Sequence, residues 1–162
     1  MILTLGAFLG FFSVFFGAYS EHSLREIVSE EHFRQLMTGI RYNQVNSVVI
    51  CIIGIARLSG IEVFGGLLFK VVGYLFILGT ILFCFSIFAS ITFGLPNLVY
   101  LTPIGGITMM ISWLSLMVFG FLTDRAKSFY GNGQKKSEVN TRTARRTGFI
   151  LVGTRTGRRD MN

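Results

Sequence analysis

The sequence predicts an all-α polytopic membrane protein with four transmembrane helices, an amphipathic helical first loop and a basic tail. Three observations carry that expectation. Only 14% of the 162 residues are charged, against roughly 25% in an ordinary soluble domain, and the mean hydropathy is +0.61. The charge is also segregated. Residues 124–162 hold ten Lys or Arg and three acids, while residues 1–123 hold five of each sign, so the net +7 belongs entirely to the tail. Finally, uncharged apolar runs recur at lengths near those needed to cross a hydrocarbon core of about 30 Å. A soluble domain needs charge all round its surface, so these features exclude a soluble enzyme core as well as a disordered chain. They divide the chain into a four-helix transmembrane domain, 1–123, and a basic, disordered cytoplasmic tail, 124–162.

The first span is read at 2–19, one uncharged run. A cleaved signal peptide would need basic residues before the run and small residues at the cut. No Lys or Arg precedes it, and Phe16 stands where a small residue belongs, so the run is a retained helix. Gly6, Gly10, Ser13 and Gly17 recur at four-three-four spacing, one stripe on which a neighbouring helix can approach closely. In the first loop, Ser23 with Glu26 has capping-box spacing. Ser29 followed by Glu30 and Glu31 is a second helix start, with acids at the positive end of the helix dipole. That helix runs unbroken into a second span, 42–58, whose early turns carry Asn43, Gln44, Asn46 and Ser47. Polar groups at that depth should face the bundle, and Arg57 at the end can extend its head to the interface.

The stretch 61–93 is longer than one span needs and too short for two. Residues 61–69 are therefore interfacial, loosened by Gly65-Gly66, and the third span is 71–93. Gly94-Leu95-Pro96-Asn97 is a turn, and Thr102-Pro103 starts the fourth span, 103–123, with Thr102 as N-cap. Gly105, Thr108, Ser112 and Ser115 form a second small-residue stripe. The helix-packing positions expected from the two stripes are Gly6, Gly10, Gly17, Gly105 and Ser112. Trp113 lies mid-span and is read as a packing residue. Cys51 and Cys84 sit in apolar runs without metal-ligand spacing and are read as small hydrophobes.

With four spans both termini share a side. That side carries twelve Lys or Arg against three opposite, which places both termini in the cytoplasm or its equivalent. The tail repeats Thr141-Arg142-Thr143-Ala144-Arg145-Arg146 as Thr154-Arg155-Thr156-Gly157-Arg158-Arg159. It either lies on anionic lipids or only fixes topology. Nucleic acid is not an expected partner, because aromatic interleaving is missing.

Three stretches resemble the small membrane-protein family known as domain of unknown function 423. Gly17-Ala18-Tyr19-Ser20-Glu21-His22-Ser23-Leu24 is similar to the family's Gly-Ala-Phe-Gly-Ala-His-Gly-Leu. Gly39-Ile40-Arg41-Tyr42 is similar to its Gly-Val-Arg-Tyr. Thr102-Pro103-Ile104-Gly105-Gly106, with the later Trp113, is similar to its Thr-Pro-hydrophobic-Gly-Gly and Trp. The resemblance covers residues 6–123 and implies a multi-pass membrane protein; it implies no activity. Asn46 stands where the family usually has His, Val45 replaces a usual aromatic, and Ser20 and Ser23 replace glycines. The basic tail has no counterpart in the family.

No nucleophile elbow, phosphate loop or carboxylate pair is present, no span has a charge at its middle, and two histidines ten residues apart fall short of a zinc site. No catalytic, cofactor or metal residue is expected. The candidate site is an outer polar cluster, Glu21, His22, Arg41, Tyr42, Asn43 and Asn46, at the facing ends of the first two spans. It is either an ion or headgroup site or a hydrogen-bonded lock, with Arg41 paired to Glu21, Glu30 or Glu31. The expected function is a non-enzymatic structural or accessory component of a membrane complex, with a partner protein or a second copy. The alternative is a small oligomeric channel or transporter lined by Asn43, Asn46, Thr108 and Ser112.

Overall fold

The computed structural model describes residues 1–146, with side chains through residue 125. Regular structure among the described residues is entirely helical. Helix α1, Ile2–Tyr19, contains no charge and no proline, and it continues through a wider π-turn, Ser20–Leu24. The chain therefore stays helical where a separate short helix was expected after Ser23. Helix α2, Glu30–Leu58, starts at Ser29, whose hydroxyl accepts from the His32 amide at 3.3 Å. That bond satisfies one of the orphan donors of the first turn.

Helix α3, Glu62–Gly65, is a single turn ended by extended backbone at Gly66. Arg57 closes this corner by donating to the carbonyls of Phe64 (3.4 Å) and Gly66 (3.3 Å). Helix α4, Leu67–Thr80, a π-turn at Ile81–Phe85, and helix α5, Ser86–Thr92, form one continuous rod. Gly94, at φ +63°, makes the turn, followed by a 3₁₀ turn at Pro96–Tyr100. Helix α6 runs Leu101–Arg146. Thr102 therefore lies inside the helix rather than capping it, and its hydroxyl meets that of Ser86 at 2.7 Å.

Among the described residues, three stretches are long and apolar enough to cross a membrane: Ile2–Leu24, Leu67–Thr92 and Pro96–Arg125. Helix α2 is not among them, because Arg41, Asn43, Gln44, Asn46 and Ser47 dilute its apolar content. Its placement is nevertheless strict. A Cβ built on Gly6 would lie 2.9 Å from the Cys51 amide nitrogen, one on Gly10 3.3 Å from Ser47 Oγ, one on Gly17 3.6 Å from Ile40, and one on Gly54 2.6 Å from Leu3 Cα. The pairs 6/51, 10/47, 17/40 and 3/54 share one sum, so α1 and α2 run antiparallel in constant register. Every level that α1 passes between residues 3 and 17, α2 passes too.

The α4–α5 rod is antiparallel to α2, with Gly73 against Ile53 and the Phe88 ring over Gly39. Helix α6 is antiparallel to that rod: Phe119 packs on Phe69, Trp113 edge-on to Phe76, Met109 on Gly79, and Gly105 on the backbone of Leu82 and Phe83. The result is an up-down-up-down bundle. One apolar cluster contains Ile2, Ile50, Ile53, Val72 and Phe76; the other contains Phe16, Leu36, Ile40, Cys84 and Phe88.

The chain divides into two units, Met1–Phe121 and Leu122–Asn162. The second is helical to Arg146, which corrects the expectation of disorder over 124–146. A helix already nucleated by an apolar segment extends at small cost per residue. Gly131 and Gly133, each worth about 1 kcal/mol against helix, do not stop it without a proline. The second copy of the basic repeat lies outside the described residues.

Candidate functional site

A layer of polar side chains is buried between the helices. Asn43, Asn46, Ser13, Thr80 and Ser112 are all at most 1% exposed, and Ser47 is buried with them. Placing amides and hydroxyls in an apolar interior is costly unless they are hydrogen-bonded. Asn43 donates from Nδ2 to the Leu9 carbonyl of α1 at 3.2 Å, and Asn46 donates from Nδ2 to Met109 Sδ of α6 at 2.8 Å. These two amides, one helical turn apart on α2, tie the central helix to two different neighbours. The hydroxyls turn back on their own helices: Ser13 to the Gly10 carbonyl, Ser47 to Gln44, Thr80 to Phe76, Ser112 to Thr108, each at 2.7–2.8 Å. Asn43 Oδ1, Ser20 Oγ and Thr92 Oγ1 are buried without a partner among the described residues.

The outer cluster read from the sequence is divided by the fold. Asn43 and Asn46 belong to the buried layer. Tyr42 turns the other way, its ring edge-on to Phe83 at 5.2 Å. Glu21, His22 and Arg41 line one groove between α1 and α2, together with Gln44 and the floor at Gly17. Glu21 is paired within its own turn to Arg25, at 2.9 Å on the exposed side. Arg41 is exposed and makes no ion pair or hydrogen bond among the described residues. The expected pair of Arg41 with Glu21, Glu30 or Glu31 is therefore absent among the described residues. Glu21 already has a nearer partner at i+4, and Glu30 and Glu31 lie more than two turns away along α2. Arg41→Ala is expected to cost about 0–1 kcal/mol in lipid-free detergent, as for an exposed charge, rather than the loss that follows breaking a buried pair. Thermal unfolding checks this.

The stripes sit at the helix seams. Gly6, Gly10 and Gly17 face α2, and Gly105 faces the α4–α5 rod, with Met109 and Ser112 completing the buried edge of α6. Met109 was not singled out in the sequence, since an apolar residue in an apolar run gives no signal of partnering an amide. Among the described residues no three His, Cys, Asp or Glu side chains sit together as a metal set would.

The family described as "Protein of unknown function (DUF423)" matches residues 16–106. That match contains Gly39, Asn43, Asn46 and Gly105. A UPF0382 membrane protein of Haemophilus influenzae is 31% identical over 120 residues, covering 74% of this chain and 92% of the relative. The UPF0382 membrane protein YwdK of Bacillus subtilis is 26% identical, covering 73% and 94%. The UPF0382 inner membrane protein YgdD of Escherichia coli K12 is 25% identical, covering 72% and 86%. No solved structure matches the chain. An all-helical bundle with three strongly apolar rods, matched over most of their length to membrane proteins, is itself a membrane protein, and the chain belongs to the DUF423 family.

Proposed function

We propose that this protein is a non-enzymatic structural or accessory component of a bacterial inner-membrane complex, built on four spans with both termini cytoplasmic. The observation that carries the reading is the buried polar layer, whose donors bond within the protein while Asn43 Oδ1 is left without a partner among the described residues. Asn43 and Asn46 spend donors on Leu9 and Met109, and the hydroxyls of Ser13, Ser47, Thr80 and Ser112 bond to backbone carbonyls. A conducting path needs polar groups that offer bonds to a passing ion or solute. Here the two amides hold helices together, as interhelical amides do inside membranes, and the hydroxyls are taken up by carbonyls of their own helices.

The four-span count rests on the register between α1 and α2. If α1 crosses the bilayer, a partner antiparallel to it from 40 to 54 crosses at the same levels. Of the polar residues that lower its hydropathy, Asn43, Asn46 and Ser47 are buried against its neighbours, while Arg41 and Gln44 line the groove beside α1. The orientation rests on the Lys and Arg of the tail, with Arg57 and Lys70 on the same side. Helix α6 supports an accessory role: it gives the bundle the narrow edge Gly105, Met109 and Ser112, while Ile107, Met110, Leu114 and Met117 stay exposed.

Reconstitution in liposomes tests the reading. Proton and potassium flux should equal that of lipid-only vesicles. Asn46→Leu should lower stability by about 1 kcal/mol, the scale of an interhelical hydrogen bond in a membrane. A conductance that Asn46→Leu abolishes would overturn the proposal in favour of a channel.

A further inference from the structure

The groove between α1 and α2 has a volume of about 510 Å³ and opens on the outer side of the helix pair. Arg41 stands on its wall. By the 17/40 pairing Arg41 is level with Phe16 and Gly17, inside the apolar rod Ile2–Leu24 rather than beyond its end. A guanidinium at that level without a counter-charge is unfavourable; it must reach water or take an anion. Glu21, the nearest carboxylate in the groove, is held by Arg25, so the groove keeps the positive charge of Arg41 uncompensated. Beside Arg41, Gln44 lines the same wall with its amide free of any bond among the described residues. Opposite them the α1 wall is small, Ser13, Val14, Gly17 and Ala18, and becomes polar only at its end, at Glu21 and His22. One turn further in, Phe11 and Val48 are exposed apolar side chains, 69% and 59% accessible.

We propose that this groove is a binding site for an anionic phospholipid. The headgroup phosphodiester accepts from the Arg41 guanidinium and the Gln44 amide, and an acyl chain runs inward over Val14, Phe11 and Val48. Guanidinium and phosphate match in charge and in the fork geometry of their hydrogen bonds. The wall below the charge is what a hydrocarbon chain requires and what free phosphate cannot use. The inference rests on α1 and α2 both crossing the bilayer, a point read separately by labelling at the two ends of α2.

Native mass spectrometry of the purified full chain tests the site. Phosphatidylglycerol is titrated against phosphatidylcholine and, in a third arm, inorganic phosphate, at about 0.3 M salt to screen the basic tail. Phosphatidylglycerol should be retained about tenfold better than phosphatidylcholine, and Arg41→Gln should weaken that retention about tenfold, the effect of losing one charge-assisted bond. Ala18→Trp leaves Arg41 in place and fills the groove, so it should also weaken retention, and it keeps the test decisive if Arg41→Gln fails to fold. Lys70→Gln, a charge outside the groove, should change nothing. Unchanged retention in Arg41→Gln or Ala18→Trp, an equal loss in Lys70→Gln, or competition by inorganic phosphate would each overturn the proposal.

Discussion

Gly105→Val is expected to destabilise the bundle by about 3 kcal/mol, at the upper end of what overpacking costs. The reason is what the new side chain would meet. A Cβ at Gly105 falls 2.7 Å from the Leu82 carbonyl carbon and on the Phe83 amide, both backbone atoms of the π-turn in the α4–α5 rod. A π-turn widens the helix locally, and here the widened backbone lies directly against Gly105, which has no side chain to hold it off. Backbone cannot rotate away as a side-chain tip can, so α6 must move off the rod, pulling Met109 from Gly79 and from the Asn46 amide. Gly106→Val is the matched control: its Cβ would meet only the Phe83 ring edge, at 3.7 Å. Unfolding of both variants in detergent should show a large loss for the first and a small change for the second. Equal stabilities would show that the close crossing is absent.

Gly54→Val should have the next largest effect, about 2–3 kcal/mol. Its Cβ would lie 2.6 Å from both the amide nitrogen and Cα of Leu3, prying the start of α1 from the end of α2. Because these helices share one register, a wedge at 3/54 also strains 6/51, where Gly6 already meets the Cys51 backbone at 2.9 Å. Gly120→Val, at a position with open space around it, should stay within about 0.5 kcal/mol of the parent.

The helical class and the apolar rods were legible because they depend on composition and run length, which are local. Ser29 was legible as a helix start for the same reason: a hydroxyl followed by two acids is a short-range signal. The glycine and serine stripes announced close crossings, but spacing alone could not say that Gly6 meets Cys51 or that Gly105 meets a π-turn, since partners are set by packing across the bundle. Arg41 was misread because charge and proximity along the chain suggested an acid, whereas Glu21 is taken by its i+4 neighbour Arg25. Asn43, Asn46 and Ser47 face the bundle as their depth in the span led one to expect, the two amides bonding to Leu9 and Met109, whereas Gln44, expected to face it too, is exposed. The extension of α6 to Arg146 was hidden by Gly131 and Gly133, whose cost is small once a helix is under way.

The central claim is that α2, despite its polar residues, crosses the membrane beside α1. Single cysteines at Ser29 and Ser59, on a background without Cys51 and Cys84, bracket that helix at its two caps. Labelled in intact cells with a membrane-impermeant maleimide, position 29 should react from outside, while position 59 should react only after the membrane is opened. Reaction of both positions from the same side would contradict the account, since α2 would then not span.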